Sequence, residues 1–242
     1  MIRIIMSALL AGVLAGMLVF VGHSWKVTPL IVNAEVYETV EPESHSHGRV
    51  TNNDMSKAAA RGGETEHSHS DGSEWAPEDG FERSAFTLLS DVTTAIGFAF
   101  LLGGAMVLSG RELGWKRGMV WGLCGYAALY LAPAFGLYPE LPGMASADLT
   151  GRQGWWLITA MATAGGLGCL FFSSRSTWKV IAVMLLLAPH LIGAPHPVIK
   201  PSVVPAELAA QFAVATLVIT AMFWLFLGAM SGYFLDRFKE TG

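Results

Sequence analysis

Seven histidines are the residues best suited to chemistry in this 242-residue chain, and four of them stand in two copies of His-Ser-His, at His45/His47 and His67/His69. Alternate side chains of an extended segment point to the same side, so each pair can converge on one ion. Glu41, Glu43, Glu64, Glu66 and Asp71 surround the pairs and could add oxygen ligands. Imidazole suits divalent first-row metals, and a flexible imidazole site following the Irving–Williams order holds copper or zinc at least as well as cobalt. The competing reading is a solvated low-complexity linker in which histidine is incidental. Two separate pairs in one polar segment favour metal binding under the compositional rule for His-rich tracts.

The second chemical feature is a repeated tripeptide. Ala-Pro-His occurs at Ala188-Pro189-His190 and again at Ala194-Pro195-His196, closed by Pro197. A proline inside a helix removes a backbone hydrogen bond and clashes with the preceding turn. In lipid the freed carbonyls need partners, so such a break faces protein or a water-filled cavity. An imidazole there can take a proton or a metal ion. We therefore expect a proline-broken helix with His190 as a metal ligand; the alternative is that His190 bonds a carbonyl freed by Pro189. His196, at the mouth, is the companion ligand or an ordinary loop histidine. The two do not share a helix face, so a common site requires the chain to break at Gly193-Ala194-Pro195.

Carboxylates supply the remaining candidates. Asp91 is a charge within an apolar run, where function is the default hypothesis, although it stands near the outer end of its span and can reach water. Glu35, Glu38, Glu140 and Asp148 are acids that could line an access path for cations, and solvated loop charges explain them equally well. His23 ends the first apolar run and reads as interfacial.

The elements that must position these groups follow from composition. The chain is 52% hydrophobic and 14% charged, against roughly 25% charged in soluble domains. That predicts an all-α, polytopic membrane helix bundle of about six spans, five if the first is cleaved, with one long external His-rich loop. A span needs about 20 mostly apolar residues. The candidates are residues 4–22, 86–108, 119–137, 155–172, 180–194 and 212–234. A signal peptide competes for the first, with Val32-Asn33-Ala34 as its cleavage site. The apolar run exceeds the usual 7–15 residues or so, which favours an uncleaved anchor. Its Gly12 and Gly16 form a G-x-x-x-G pair that could admit another helix. The expected organisation is an anchor at 1–23, a largely disordered external loop at 24–85, its first part ordered near the membrane, and a five-helix bundle at 86–242.

Basic residues at Arg3, Arg111/Lys116/Arg117, Arg175/Lys179 and Arg237/Lys239 all fall on one side if six spans alternate, while the other short loops hold only Arg152 and Lys200. The positive-inside rule then makes both termini cytoplasmic. No basic patch interleaved with aromatics suggests nucleic-acid binding. Cys124 and Cys169 lie inside apolar runs without a C-x-x-C motif, which implies neither a disulfide framework nor a thiolate metal site. No phosphate-binding loop is present, so the chain itself does not hydrolyse ATP. An intramembrane enzyme using His190 is disfavoured because no nearby Ser, Cys or carboxylate completes a nucleophile and base.

Several segments carry a resemblance. The first span leads into Val27-Thr28-Pro29-Leu30-Ile31 and Ala34-Glu35-Val36-Tyr37-Glu38. After the His-rich insert come Tyr138-Pro139-Glu140-Leu141-Pro142-Gly143, Asp148 and Arg152-Gln153-Gly154-Trp155-Trp156. Ala188-Pro189-His190 through Ala194-Pro195-His196-Pro197, then Val204-Pro205 and Ala210-Gln211-Phe212, complete the set. Over nearly its whole length the chain resembles the CbtA family, proposed membrane subunits of bacterial cobalt transporters. The resemblance implies cobalt uptake associated with cobalamin biosynthesis. It also implies a partner, CbtB, a small single-span protein with a His-rich motif. The combined expectation is a non-enzymatic permease of the bacterial inner membrane without a resident cofactor. Its cargo would be a divalent ion, cobalt first, with nickel or zinc also compatible. The rival expectation is a metal-binding scaffold or sensor that does not transport.

Overall fold

The structure, a computed structural model, describes residues 2–38, 77, 80–197 and 202–239. All regular structure among these residues is helical. In chain order the elements are α1 (Ile2–Gly22), a π-helical turn (His23–Val27), α2 (Thr28–Glu38) and α3 (Phe81–Leu108). Next come α4 (Trp115–Tyr126), a second π-helical turn (Ala127–Leu131), α5 (Ala132–Ala134), α6 (Leu149–Phe172), α7 (Ser176–Ile192) and α8 (Ala206–Arg237). Both π-helical turns are flanked by residues in the right-handed helical region. Residues 2–38 and 115–134 therefore each run as one continuous rod, and six rods make the bundle.

This corrects the expected boundaries. The first helix does not end at Gly22 but continues through Glu38, so residues 24–38 belong to it rather than to a loop. Nothing interrupts it: the charges at Lys26 and Glu35 suit a helix emerging from the apolar layer, and Pro29, which has no N–H to donate, directly follows the π-helical turn, where the Thr28 amide bonds the His23 carbonyl. The second span likewise starts at Phe81, five residues earlier than expected. The third rod, expected at 119–137, occupies 115–134. Among the described residues, four helices are long and apolar enough to cross a bilayer: residues 2–37, α3, α6 and α8; α7 is a shorter apolar helix. The protein is a helical membrane bundle. Large apolar side chains such as Leu101, Met184 and Leu191 point outward at 68%, 65% and 83% exposure, as a lipid-facing surface requires.

Small residues set the packing. Methyl groups at Gly12 and Gly16 would come within 2.5 Å of the Ile96 and Val92 Cα atoms, so the G-x-x-x-G pair lays α1 directly on the backbone of α3. A second seam was not anticipated. Methyls at Gly118 and Gly122 on α4 would strike the carbonyl oxygens of Gly228 and Trp224 on α8, and one at Gly232 would meet that of Gly114. These contacts allow backbones closer than any side chain permits. Trp224, 2% exposed, and Phe98 then fill the centre, their rings 4.9 Å apart. α6 packs mainly on α7, and this hairpin meets the rest through the second π-helical turn and α5.

The bundle has two ends. The termini and the turns around Arg111 and Arg175 lie at one, called here the terminal face. The other, the loop face, carries the end of α2 and the start of α3. There Val27, Ala34, Leu141, Val204 and Phe212 form a separate apolar cluster, which ties the outward extension of the first helix to the 135–148 connection and the start of α8.

Candidate functional site

The chain leaves helical structure at the second copy of the repeated tripeptide and not at the first. Pro189 lies inside α7 without breaking it. The helix ends three residues later at Ile192, capped by Gly193, whose φ of +87° suits glycine alone, and residues 193–197 are irregular. The expectation of a break at Pro189 is thus corrected: the apolar face continues to Ile192, and the positive φ stops the helix. The Pro189 carbonyl accepts two donors, the Gly193 amide at 3.0 Å and the Trp155 indole N–H at 3.3 Å.

His190 occupies the last turn of α7, half-buried. Its ring meets Trp155 and Phe135 edge-on, centroids 6.0 Å away in both cases. The Trp155 bond is to the carbonyl of Pro189 itself and not to the one a turn earlier, at Leu185, that the missing proline N–H leaves free. An imidazole edged by two aromatic rings is held by α5, α6 and α7 together. Beyond it, Ala194 packs against Gly136 and Pro195 approaches Gly151, while His196 is exposed.

Glu35, Asp91, Glu140 and Asp148 are each engaged, while the side chain of Glu38 lies outside the described residues. Glu140 receives Arg152 at 2.9 Å and is 16% exposed. Burial pushes its carboxyl above the ordinary value, opposed by the Arg152 guanidinium. Asp148 caps α6, its Oδ2 accepting the Gly151 amide at 2.9 Å. Glu35 is bound by Arg83 at 2.6 Å, which staples α2 to α3. Asp91 faces His23: the imidazole Nδ1 is 3.2 Å from Oδ1 and 3.1 Å from Oδ2. Its reading as an isolated charge reaching water is therefore replaced by a cross-helix pair, and His23 is more than interfacial. A depth count could have found this. Both residues stand about 20 positions or fewer from the terminal-face ends of two consecutive antiparallel spans.

No group of three or more His, Cys, Asp or Glu that could hold a metal ion occurs among the described residues. His45, His47, His67 and His69 lie outside the described residues. Two cavities open between helices. One, of about 890 Å³, lies among α3, α4, α6 and α8, is almost wholly apolar, and reaches Arg111, Glu112 and Arg117 at the terminal face. The other, of about 950 Å³, separates the first helix from α8 near Trp25 and Lys26. Neither is lined by His190 or His196.

The geometry is that of a membrane bundle with Glu35, Glu140, Asp148 and His196 towards the loop face, without a preassembled metal cage in the described part. The comparison with known families decides the rest: a family model described as "Probable cobalt transporter subunit (CbtA)" matches residues 1–236. The chain belongs to the CbtA family. No curated protein and no solved structure matches it. As a member of a transporter-subunit family it functions within a transport assembly, and "subunit" implies a further component. The resemblance carried by the loop motifs is thereby confirmed over nearly the whole chain.

Proposed function

We propose that this chain is the membrane permease of a divalent-cation uptake system, with cobalt destined for cobalamin biosynthesis as the cargo. The family match across residues 1–236 carries this reading. Basic residues concentrated at the terminal face support an inner-membrane orientation with both termini cytoplasmic and the loop face external. In that orientation His45, His47, His67 and His69 capture the ion, with nickel and zinc as competitors. His190 and His196 take it up at the bundle mouth. Glu35, Asp91, Glu140 and Asp148 contribute negative charge at the same end, although in this structure each also has a structural partner. A continuous first helix from Ile2 to Glu38, with Ala34 fully buried inside it, supports an uncleaved anchor. A CbtB-like single-span, His-rich protein is the proposed partner. Membership of a transporter-subunit family supports a non-enzymatic role.

Cells expressing the chain with and without that partner are assayed for radiolabelled cobalt uptake. Uptake above that of empty cells is expected. Its absence in both would reject the permease in favour of a metal-binding scaffold or sensor. Deleting residues 41–71 separates capture from translocation: weaker uptake at low cobalt only is expected. His190→Ala and His196→Ala lower the maximal rate. Should only the deletion matter, the mouth histidines have no part in transport.

A further inference from the structure

The His23–Asp91 contact is unused by the reading above except as background charge, yet its setting is specific. At 1.5 Å per residue, Asp91 stands about 26 Å along α3 from Leu108. That places it inside an apolar layer of about 30 Å, close to its outer edge. The two side chains are 27% and 14% exposed, and one ring nitrogen faces both carboxylate oxygens. His23 opens the π-helical turn His23–Val27, and isolated π-helical turns concentrate at functional sites. On the terminal-face side the pair is bounded by a close crossing of the two backbones, Gly16 against Val92 and Gly12 against Ile96. On the loop-face side it is bounded by the Arg83–Glu35 bridge.

Other ionisable groups stand apart. On the pair's own rods, Lys26 lies over the Trp25 ring at 5.0 Å, and Glu35, Glu82 and Arg83 are about two turns or more towards the loop face. α8 packs against both α1 and α3, and carries Glu207 at one end and Tyr233, Asp236 and Arg237 at the other. α4, which also meets α3, offers Lys116 and Arg117 at the terminal face, Cys124 on the 890 Å³ cavity, and Tyr126, whose hydroxyl donates to the Leu217 carbonyl at 3.1 Å. The imidazole and carboxylate are thus each other's partner at this depth.

We propose that His23 and Asp91 form a proton-binding site on the α1–α3 seam, loaded from the loop face, whose proton travels in the same direction as the transported cation. Imidazole with carboxylate carries a net charge of −1. One proton from water converts it to imidazolium with carboxylate, net zero, and is released unchanged on the other side. An uncompensated charge in the apolar layer is costly, so the loaded, neutral pair holds the seam closed and the unloaded pair favours its separation. Cation and proton load from one face because the pair lies at the capture end. This coupling rests on the transport reading; the proton site itself does not.

Two experiments separate them. Infrared difference spectra of the purified full chain in nanodiscs are recorded as bulk pH is stepped, without metal. The carboxyl bands that vanish in Asp91→Asn should change in concert with imidazole bands that vanish in His23→Gln. Independent changes, or none, overturn the proton site. In proteoliposomes at zero membrane potential, cobalt accumulation is then measured with the loop face in the more acidic compartment. One proton per ion predicts a tenfold higher accumulation ratio per unit of pH gradient, and His23→Gln should lose that response while still equilibrating cobalt. Wild-type uptake indifferent to the gradient overturns the coupling and leaves the permease standing. No uptake at all overturns the permease and the coupling together, and the spectra still decide the proton site.

Discussion

Gly16→Ala tests the α1–α3 seam with the smallest possible perturbation. The added methyl would stand 2.5 Å from the Val92 Cα and 2.9 Å from its Cγ2, where ordinary contact needs about 3.5–4.0 Å. Because the obstacle includes backbone, trimming Val92 cannot relieve it, and the helices must part by about 1 Å. That cost is of the order of other overpacking substitutions, about 1–3 kcal/mol, against a gain of up to about 1 kcal/mol in helix propensity. Gly97→Ala provides the internal control. It lies on α3 in open space, with nothing within 4 Å, so only the favourable propensity term applies. The propensity term is common to both, so the two variants should differ by about 1–3 kcal/mol, at least about a fivefold shift in the folding equilibrium. Unfolding in mixed micelles reads the difference, with Gly16→Ala/Val92→Ala expected to be no better than Gly16→Ala. A parting of 1 Å would also lengthen the 3.1 Å His23–Asp91 contact beyond hydrogen bonding. Equal stabilities for Gly16→Ala and Gly97→Ala, or rescue by Val92→Ala, would refute the claim that backbone contact sets this crossing.

Other consequences are open to direct measurement. Asp148→Ala should lower stability by about 1 kcal/mol through loss of the α6 cap, with Asp148→Asn close to wild type by thermal unfolding. An unaltered cobalt uptake rate in Asp148→Asn would remove this residue from the ion path. Trp155→Phe should cost about 1 kcal/mol by freeing the bond to the Pro189 carbonyl, and should weaken the hold on the His190 ring, visible as increased mobility of its NMR signals. Glu140 is held above its ordinary value by burial, so the folded state binds that proton more tightly than the unfolded chain. Its contribution favours folding at acid pH and is lost as pH rises through the unfolded carboxylate value, about 4.3, towards the raised folded value. Melting temperatures across that window should fall in the wild type and fall less in Glu140→Gln.

Much of the fold was legible because its signals are local. Six apolar segments, the G-x-x-x-G pair at Gly12 and Gly16, and the family motifs in the loops needed no knowledge of what touches what. The end of the first helix was misplaced since polarity, not helicity, changes after Gly22: the chain leaves the apolar layer while its backbone hydrogen bonds continue to Glu38. Pro189 misled for a related reason. A proline disturbs a helix by removing one bond, and this helix tolerates the loss, its end supplied by the positive φ of Gly193 and the Trp155 indole. The glycines at 114, 118 and 122 were equally visible in the sequence, but their meaning required knowing that Gly228 and Gly232 oppose them.

By itself the sequence determined that this is an all-helical membrane protein of the CbtA family, because apolar run length and motif order survive any arrangement of the helices. Which ionisable groups meet was decided by tertiary structure alone. His23 and Asp91 are 68 residues apart, and Glu35 and Arg83 are separated by 48. Their pairing depends on how closely two antiparallel helices approach and at what rotation. Those quantities are fixed by glycine contacts across the seam, which no single segment contains.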